Sequence, residues 1–407
     1  MQQLSATSAP TDESSILGDA GDTITLPFDR RRLDRSMERA GIDLVLATSK
    51  HNVQYLLGGY YSLFFAHMEP IGLSRYLAAL GYPREQPGHA FYVGSVFEID
   101  QQAIDPLWVP TARNVSWEST ATVLQAVELI CDLGLDRGTI GIEMPFLPAD
   151  AYRELRQSLP NADFADAVVV LEDLRAVKRP EELQLLREAS EGIVDSILSV
   201  FQQARHGLTT HQIAELLERE EVAHGLTFDY CLVTAGTSLN RTPSSHSWAE
   251  GEILCLDSGG QKRGYIGDLA RMSVMGQPSP EQQEILHEID AIQMAARRPV
   301  RAGALGQEIY DAALAAMESC PHRSEFSFVA HGMGLVSHEA PRLTSTGPVP
   351  YPSDHNSTGL EPGMVLAIET EMASPRHGFI KLEDTIAVTE SGWQAYGDGA
   401  RGWNCVE

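Results

Sequence analysis

Residues 255–272 read Cys255-Leu-Asp257-Ser-Gly-Gly-Gln-Lys262-Arg263-Gly-Tyr-Ile-Gly-Asp268-Leu-Ala-Arg-Met272. Apolar flanks around a polar, glycine-bearing centre are the pattern of an antiparallel hairpin. A turn centred on Lys262-Arg263 sets Asp257 directly opposite Asp268 on one face. A second hairpin follows: Met364-Val-Leu-Ala-Ile-Glu369, a turn at Pro375-Arg376-His377, then Phe379-Ile-Lys381-Leu-Glu383-Asp-Thr. There Glu369 faces Glu383 and Glu371 faces Lys381. Opposed side chains stand roughly 5 Å apart, and like charges there are destabilising. Two such pairs in apolar strands make physical sense around a cation. Between the hairpins lies Phe328-Val-Ala-His331-Gly-Met-Gly-Leu-Val-Ser-His338-Glu-Ala-Pro341. Its glycines allow close backbone approach. Four carboxylates and the His331 imidazole form a donor set for one or two divalent metals.

Outward from these hairpins, the C-terminal half predicts helices over 181–203, 210–224, 280–298 and 306–317, with apolar residues at three- and four-residue spacing. Pro180 suits the first helical position. Strands over 230–234 and 252–257 precede the first hairpin. This half is α+β, a largely antiparallel sheet with helices grouped on one side, and helix–helix–hairpin occurs twice. Val168-Val-Val-Leu171 reads as a strand, and Glu181-Glu182 and Glu218–Glu221 read as solvated helix faces. The N-terminal half alternates: a helix from 28 to 40, a strand over 42–48, a helix over 120–133, a strand over 139–143, a helix over 148–158. That is an α/β domain. The expected organisation is a mobile tail at 1–22, an α/β domain at 23–174 and the catalytic domain at 175–407.

The 407 residues are 43% hydrophobic and 21% charged, with a formal net charge of −26. This composition fits a soluble globular chain and opposes a nucleic-acid partner, whose phosphates carry the same sign. The sequence contains no apolar run of 18 residues, so no membrane span is expected. Residues 1–22 lack the basic start and apolar core of a secretory signal. The five cysteines have no paired spacing and read as reduced thiols of a cytoplasmic protein.

The chain resembles the creatinase, prolidase and aminopeptidase P family from about Phe28 onward. Ala40-Gly-Ile-Asp-Leu-Val-Leu-Ala-Thr48 and Asn52-Val-Gln-Tyr-Leu-Leu-Gly-Gly-Tyr60 are similar to its first domain, and Arg175-Ala-Val-Lys-Arg-Pro-Glu-Glu-Leu183 to its domain junction. Asp257, Asp268, His331, Glu369 and Glu383 follow its ligand motifs in order. The resemblance implies an α/β N-terminal domain plus an α+β C-terminal pita-bread catalytic domain. It implies two divalent metals, Mn²⁺ or Co²⁺ with Fe²⁺ or Zn²⁺ as further candidates. Asp257 and Glu383 would bridge them, with Asp268 on one ion and His331 and Glu369 on the other. His246 and His338 match substrate-side histidines able to stabilise an oxyanion, and Glu369 would move the proton. The implied activity is hydrolysis of an amide C–N bond, as in an Xaa-Pro dipeptidase or aminopeptidase. The implied assembly is a homodimer, with the aromatic stretch Tyr60–Phe65 as a wall for a neighbour's site.

Three positions depart from the family pattern. Ser327 stands four residues before His331, where peptidases usually carry His. Thr370-Glu371 follows Glu369 in place of Pro-Gly. Lys381 replaces an arginine two residues before the last glutamate, and the hairpin register predicts a salt bridge from Lys381 to Glu371. These changes bear on proline-peptide specificity and leave the metal ligands intact, so hydrolysis of a small non-peptide amide or cyclic amidine is a second reading. A third is an inactive pita-bread binding protein, a class that typically loses ligands where this chain keeps all five.

Overall fold

The computed structural model describes residues 25–68, 73–344 and 357–406. The expected tail at 1–22 lies outside them. The chain divides into two compact units, residues 1–167 and 168–407.

The first unit is built on a six-stranded sheet. Its strands are β1 (Leu44–Ala47), β2 (Ala79–Pro83), β3 (Phe91–Ser95), β4 (Thr111–Ser116), β5 (Thr139–Ile142) and β6 (Asp163–Asp166), in the order β4-β3-β2-β1-β5-β6. β1 pairs parallel with β5 and antiparallel with β2. The helix Arg30–Ala40 starts at Asp29, whose carboxylate accepts from Arg32 N–H, and stops at Gly41 with φ 67°. Such a left-handed terminus favours glycine. Helices Ser119–Asp132 and Ala149–Ser158 complete the alternation expected of an α/β unit.

The second unit opens with a departure from expectation. Val168-Val-Val-Leu171 belongs to a helix, Val168–Ala176, not a strand. A short β-branched run carries no decisive period, and its buried residues Val170, Leu171 and Leu174 fall at helical spacing. Helices Pro180–Gln203 and Thr210–Ala223 lead to β7 (Thr227–Ala235), then the hairpin β8 (Ile253–Lys262) and β9 (Tyr265–Met275). Helices Pro280–Arg297 and Gly306–Glu318 lead to β10 (Phe326–Gly332), then the hairpin β11 (Val365–Ser374) and β12 (Gly378–Val388). The repeated helix–helix–strand–hairpin order is therefore real. The sheet runs β10-β11-β12-β9-β8-β7, with β13 (Trp393–Tyr396) on β12 and β14 (Asn404–Val406) parallel to β9. The two halves meet where Glu383 pairs with Ala270.

Two cores hold this unit. One packs Ile193, Ile197 and Leu217 against Leu254 and Leu256, and the other packs Ile285, Ile289 and Ile292 against Ile368 and Ile380 and extends to Ile253 and Cys255. Alternate residues of β8 thus enter different cores, which buries both of its faces.

The helix glutamates differ from expectation as well. Glu182 and Glu221 are buried, not solvated. Glu182 lies in line with Leu186, Ala189 and Ile193, and Glu221 with Ile213 and Leu217, so the apolar stripe carries each inward.

Candidate metal centre

The first hairpin turns one residue later than the sequence suggested. Lys262 pairs with Tyr265, and Arg263 and Gly264 form the turn with φ 51° and 88°. A two-residue turn of this kind needs positive φ at both centres, and moving it to Lys262-Arg263 would force two non-glycine residues left-handed. The register consequently sets Asp257 opposite Ala270 and Asp268 opposite Gly259. The two aspartates share a face as a diagonal pair, not a direct one. A Cβ at Gly259 would lie 2.3 Å from the Tyr230 ring. The missing side chain lets that ring cross the strand and bring its hydroxyl to Asp268.

The second hairpin has the expected register. Glu369 pairs with Glu383 and Glu371 with Lys381, around the turn Pro375-Arg376-His377. β10 lies alongside, with His331 opposite Ala367.

These strands bring Asp268, His331 and Glu383 together, with one donor atom of each within 4.8 Å of the others. His331 Nε2 stands 3.8 Å from carboxylate oxygens of both Glu369 and Glu383. His331 Nδ1 approaches the Gly332 carbonyl at 3.2 Å, while Nε2 is buried without a hydrogen-bond partner. A backbone carbonyl on Nδ1 leaves Nε2 as the nitrogen free to ligate a cation. That orphaned nitrogen among carboxylates fits a divalent cation. Without one, burial and then the neighbouring Asp257 push Asp268 up to about 6, and burial and then Asp268 push Glu383 up to about 8. Burial opposes charge on His331, but Glu383 and Glu369 outweigh it and raise the ring to about 9.

The expected Lys381–Glu371 salt bridge does not form. Lys381 Nζ lies 2.7 Å from Asp257, 2.6 Å from Glu369 and 2.7 Å from Glu383. Glu371 instead accepts from the Ser327 hydroxyl at 3.1 Å. Residue 381 shares a strand face with 383, and a lysine stem is long enough to fold back toward the carboxylates. Three or four anions attract the ammonium more strongly than one. Arg241 also grips Asp257, with its guanidinium 4.7 Å over the Phe379 ring.

His338 stacks on His331, with ring centroids 3.8 Å apart and planes 13° apart. Burial, and then the His331 charge, lower its pKa to about 4. The segment carrying it folds back because Gly332 and Gly334 have no side chains. A Cβ at Gly332 would meet Pro341 N at 2.3 Å, and one at Gly334 would meet Glu339 at 2.2 Å. Glu339 anchors the segment, accepting from Arg175 at 2.9 Å and Lys178 at 3.0 Å, all three buried. Ser337 donates to Asp268 at 2.7 Å.

His246 stands apart. It is exposed in the β7–β8 connection, and its hydrogen bonds run through its backbone to Thr210 and Ser244. Tyr230, Arg241, Ser337 and Glu339 had no assigned place in the sequence reading. Glu339 alone carried a signal, as an acid in the same short motif as His338, with two cations in the Arg175–Lys178 motif.

Buried carboxylates from two hairpins of a pita-bread sheet, with one imidazole from the adjoining strand β10, define a metal-dependent hydrolase. The chain belongs to metallopeptidase family M24, whose profile matches residues 184–390, and the creatinase/prolidase N-terminal domain matches 30–177. It is 25% identical over 260 residues to an Xaa-Pro dipeptidase of Pyrococcus horikoshii, covering 62% of this chain and 71% of that one. An Xaa-Pro dipeptidase of Lactobacillus helveticus is 27% identical over 270 residues, covering 64% of this chain and 71% of that one. Among solved structures, the Xaa-Pro dipeptidase from Bacillus anthracis superposes with a TM-score of 0.77 at 20% identity, over 93% of this chain and 99% of that one.

Proposed function

We propose that this chain hydrolyses the amide bond of a small Xaa-Pro peptide with a divalent metal. The observation that carries this reading is the convergence of Asp268, Glu383 and the orphaned Nε2 of His331. A divalent ion held there supplies Lewis acidity for an amide carbonyl and lowers the pKa of water. Glu369, whose carboxyl is kept below its usual range by Lys381 and His331 against the pull of burial, is ionised at neutral pH. It accepts the proton of the attacking water and delivers it to the leaving nitrogen. His338, neutral at that pH, donates a hydrogen bond to the developing oxyanion. His246 is assigned to the substrate side, approached from its exposed loop.

We assign Mn²⁺ or Co²⁺ as the metal, in keeping with mixed carboxylate and imidazole ligation. Among the described residues, no helix is long and apolar enough to cross a membrane. The five free thiols agree with a cytoplasmic setting. The first unit exposes Tyr61, Leu63, Phe97 and Trp117. Phe97 stacks on Phe64 at 4.5 Å and meets Trp117 edge-on at 5.1 Å. An exposed aromatic cluster marks an association surface, which supports the homodimer.

Hydrolysis of a non-peptide amide is favoured by one feature. Where peptidases carry a histidine, Ser327 is tied to Glu371 and offers no imidazole. The deciding assay compares Xaa-Pro dipeptides, proline-containing tripeptides and cyclic amides, before and after chelation and with Mn²⁺ or Co²⁺ restored. Turnover of Xaa-Pro dipeptides that vanishes on chelation and returns with metal is expected. Undiminished turnover in metal-free protein would overturn the metal-dependent reading.

A further inference from the structure

The cluster contains four carboxylates and one imidazole, but it also contains a cation of its own. Lys381 is 3% exposed, and its ammonium touches Asp257, Glu369 and Glu383 at 2.6–2.7 Å. Carboxylate oxygens ligate a metal such as zinc at about 2.0–2.2 Å. An ammonium at hydrogen-bond distance uses the same lone pairs that a metal in its place would need. Asp257 is doubly engaged, since Lys381 and Arg241 both reach its Oδ2. Asp268 and His331 lie beyond Lys381's contacts, and His331 Nε2 has no partner. Asp257, Glu369 and Glu383 meet a cation from within the chain, whereas Asp268 meets a neutral hydroxyl donor, Ser337 at 2.7 Å.

Charge balance leads the same way. Asp257, Asp268, Glu369 and Glu383 bring four negative charges when ionised. Lys381 and Arg241 cancel two of them, and one divalent ion cancels the rest. A second divalent ion would leave a net positive cluster in a buried site, where uncompensated charge is costly.

Resting on the metal-dependent reading above, we propose that this chain holds one divalent ion, at Asp268, His331 and Glu383, and that the Lys381 ammonium takes the place of a second. The resemblance implied two ions, with Asp268 and His331 on different ones. Here Asp268 and His331 share an ion, and Asp257 holds Lys381 and Arg241. For two ions to bind, Lys381 must leave the carboxylates. In the strand register its alternative partner is Glu371, already bonded to Ser327.

The test is metal content, not turnover. Full-length protein is stripped with chelator, reloaded with MnCl₂ and desalted, then measured by elemental analysis and electron paramagnetic resonance. One Mn²⁺ per chain with an uncoupled six-line signal is expected. Asp257→Asn should keep its ion, and Glu383→Gln should lose it. Lys381→Ala should take up a second ion and develop the signal of an exchange-coupled pair. Two ions in the wild-type chain, loss of metal from Asp257→Asn, or a single ion in folded Lys381→Ala would each overturn the single-ion proposal and leave metal dependence standing. No Mn²⁺ retained by the wild-type chain would overturn both. The wild-type and Asp257→Asn measurements decide the matter if Lys381→Ala does not fold.

Discussion

His331 and Glu383 show how single residues at this site are governed by their neighbours. His331 is held charged up to about 9 and Glu383 protonated up to about 8, so an entering ion must displace protons from both. Apparent Mn²⁺ affinity should therefore rise with pH up to about 9 and level off above it. Calorimetry in buffers of different ionisation enthalpy should register proton release at pH 7. Asp268→Asn and Glu383→Gln should each lower metal affinity more than about 100-fold, since even outer partners of a metal ligand are worth 10–100-fold. Equilibrium dialysis reads this directly, and turnover should fall with it. Glu221 makes a different prediction. Its Oε2 is buried without a partner, its Oε1 accepts from Ser258 at 2.6 Å, and burial raises its pKa from 4.5 to about 8. A carboxyl whose folded pKa is raised stays protonated while the unfolded chain ionises. Stability should thus fall as pH rises from about 4.5 to about 8. Glu221→Gln should flatten that slope in urea titrations across the window.

At the scale of elements, the His338 segment depends on two glycines as well as on the Glu339 anchor. Gly332→Ala puts a Cβ against the backbone of Pro341, which cannot swing aside. The segment must move, at a cost of about 1–3 kcal/mol typical of overpacking. The His331–His338 stack should open with it. A lowered unfolding midpoint and a changed His338 imidazole resonance would report this. The β8–β9 turn offers the opposite case. Arg263 sits at φ 51°, a left-handed position that Asn tolerates better. Arg263→Asn should stabilise the hairpin by about 0.5 kcal/mol without affecting metal binding.

At the scale of the whole molecule, the catalytic unit is locked behind the site by Asp384. This buried carboxylate accepts from Arg271 at 2.7 Å and from Arg401 and forms an ion pair with Arg297 at 2.7 Å, joining β9, β12, the helix Pro280–Arg297 and the C-terminal segment. Asp384→Asn leaves three guanidinium groups around a neutral amide, and breaking a buried pair costs about 3–5 kcal/mol. Thermal unfolding should show a drop of that order. Glu383 is the next residue, so metal content should fall as well.

By itself the sequence determined which residues could serve as donors, their order and the faces they share. The strand period, with a turn near the middle of each hairpin, puts Asp257 and Asp268 on one face and Glu369 and Glu383 on one face. The Pro375–His377 turn, bounded by Gly378, was legible enough to set the second register correctly. The first turn was missed by one residue, and the pairing therefore by two, because two adjacent dipeptides could each have formed the turn, and only backbone sign at Gly264 separates them. The tertiary structure alone decided what the donors do together. Lys381 can reach Glu371 or Asp257, Glu369 and Glu383 from the same strand position, and the closing of one hairpin against the other sets the anions that attract it. Glu339 finds Arg175 and Lys178 more than 160 residues away. Local spacing fixes the side of a strand on which a group stands; the approach of distant strands decides which charges meet there.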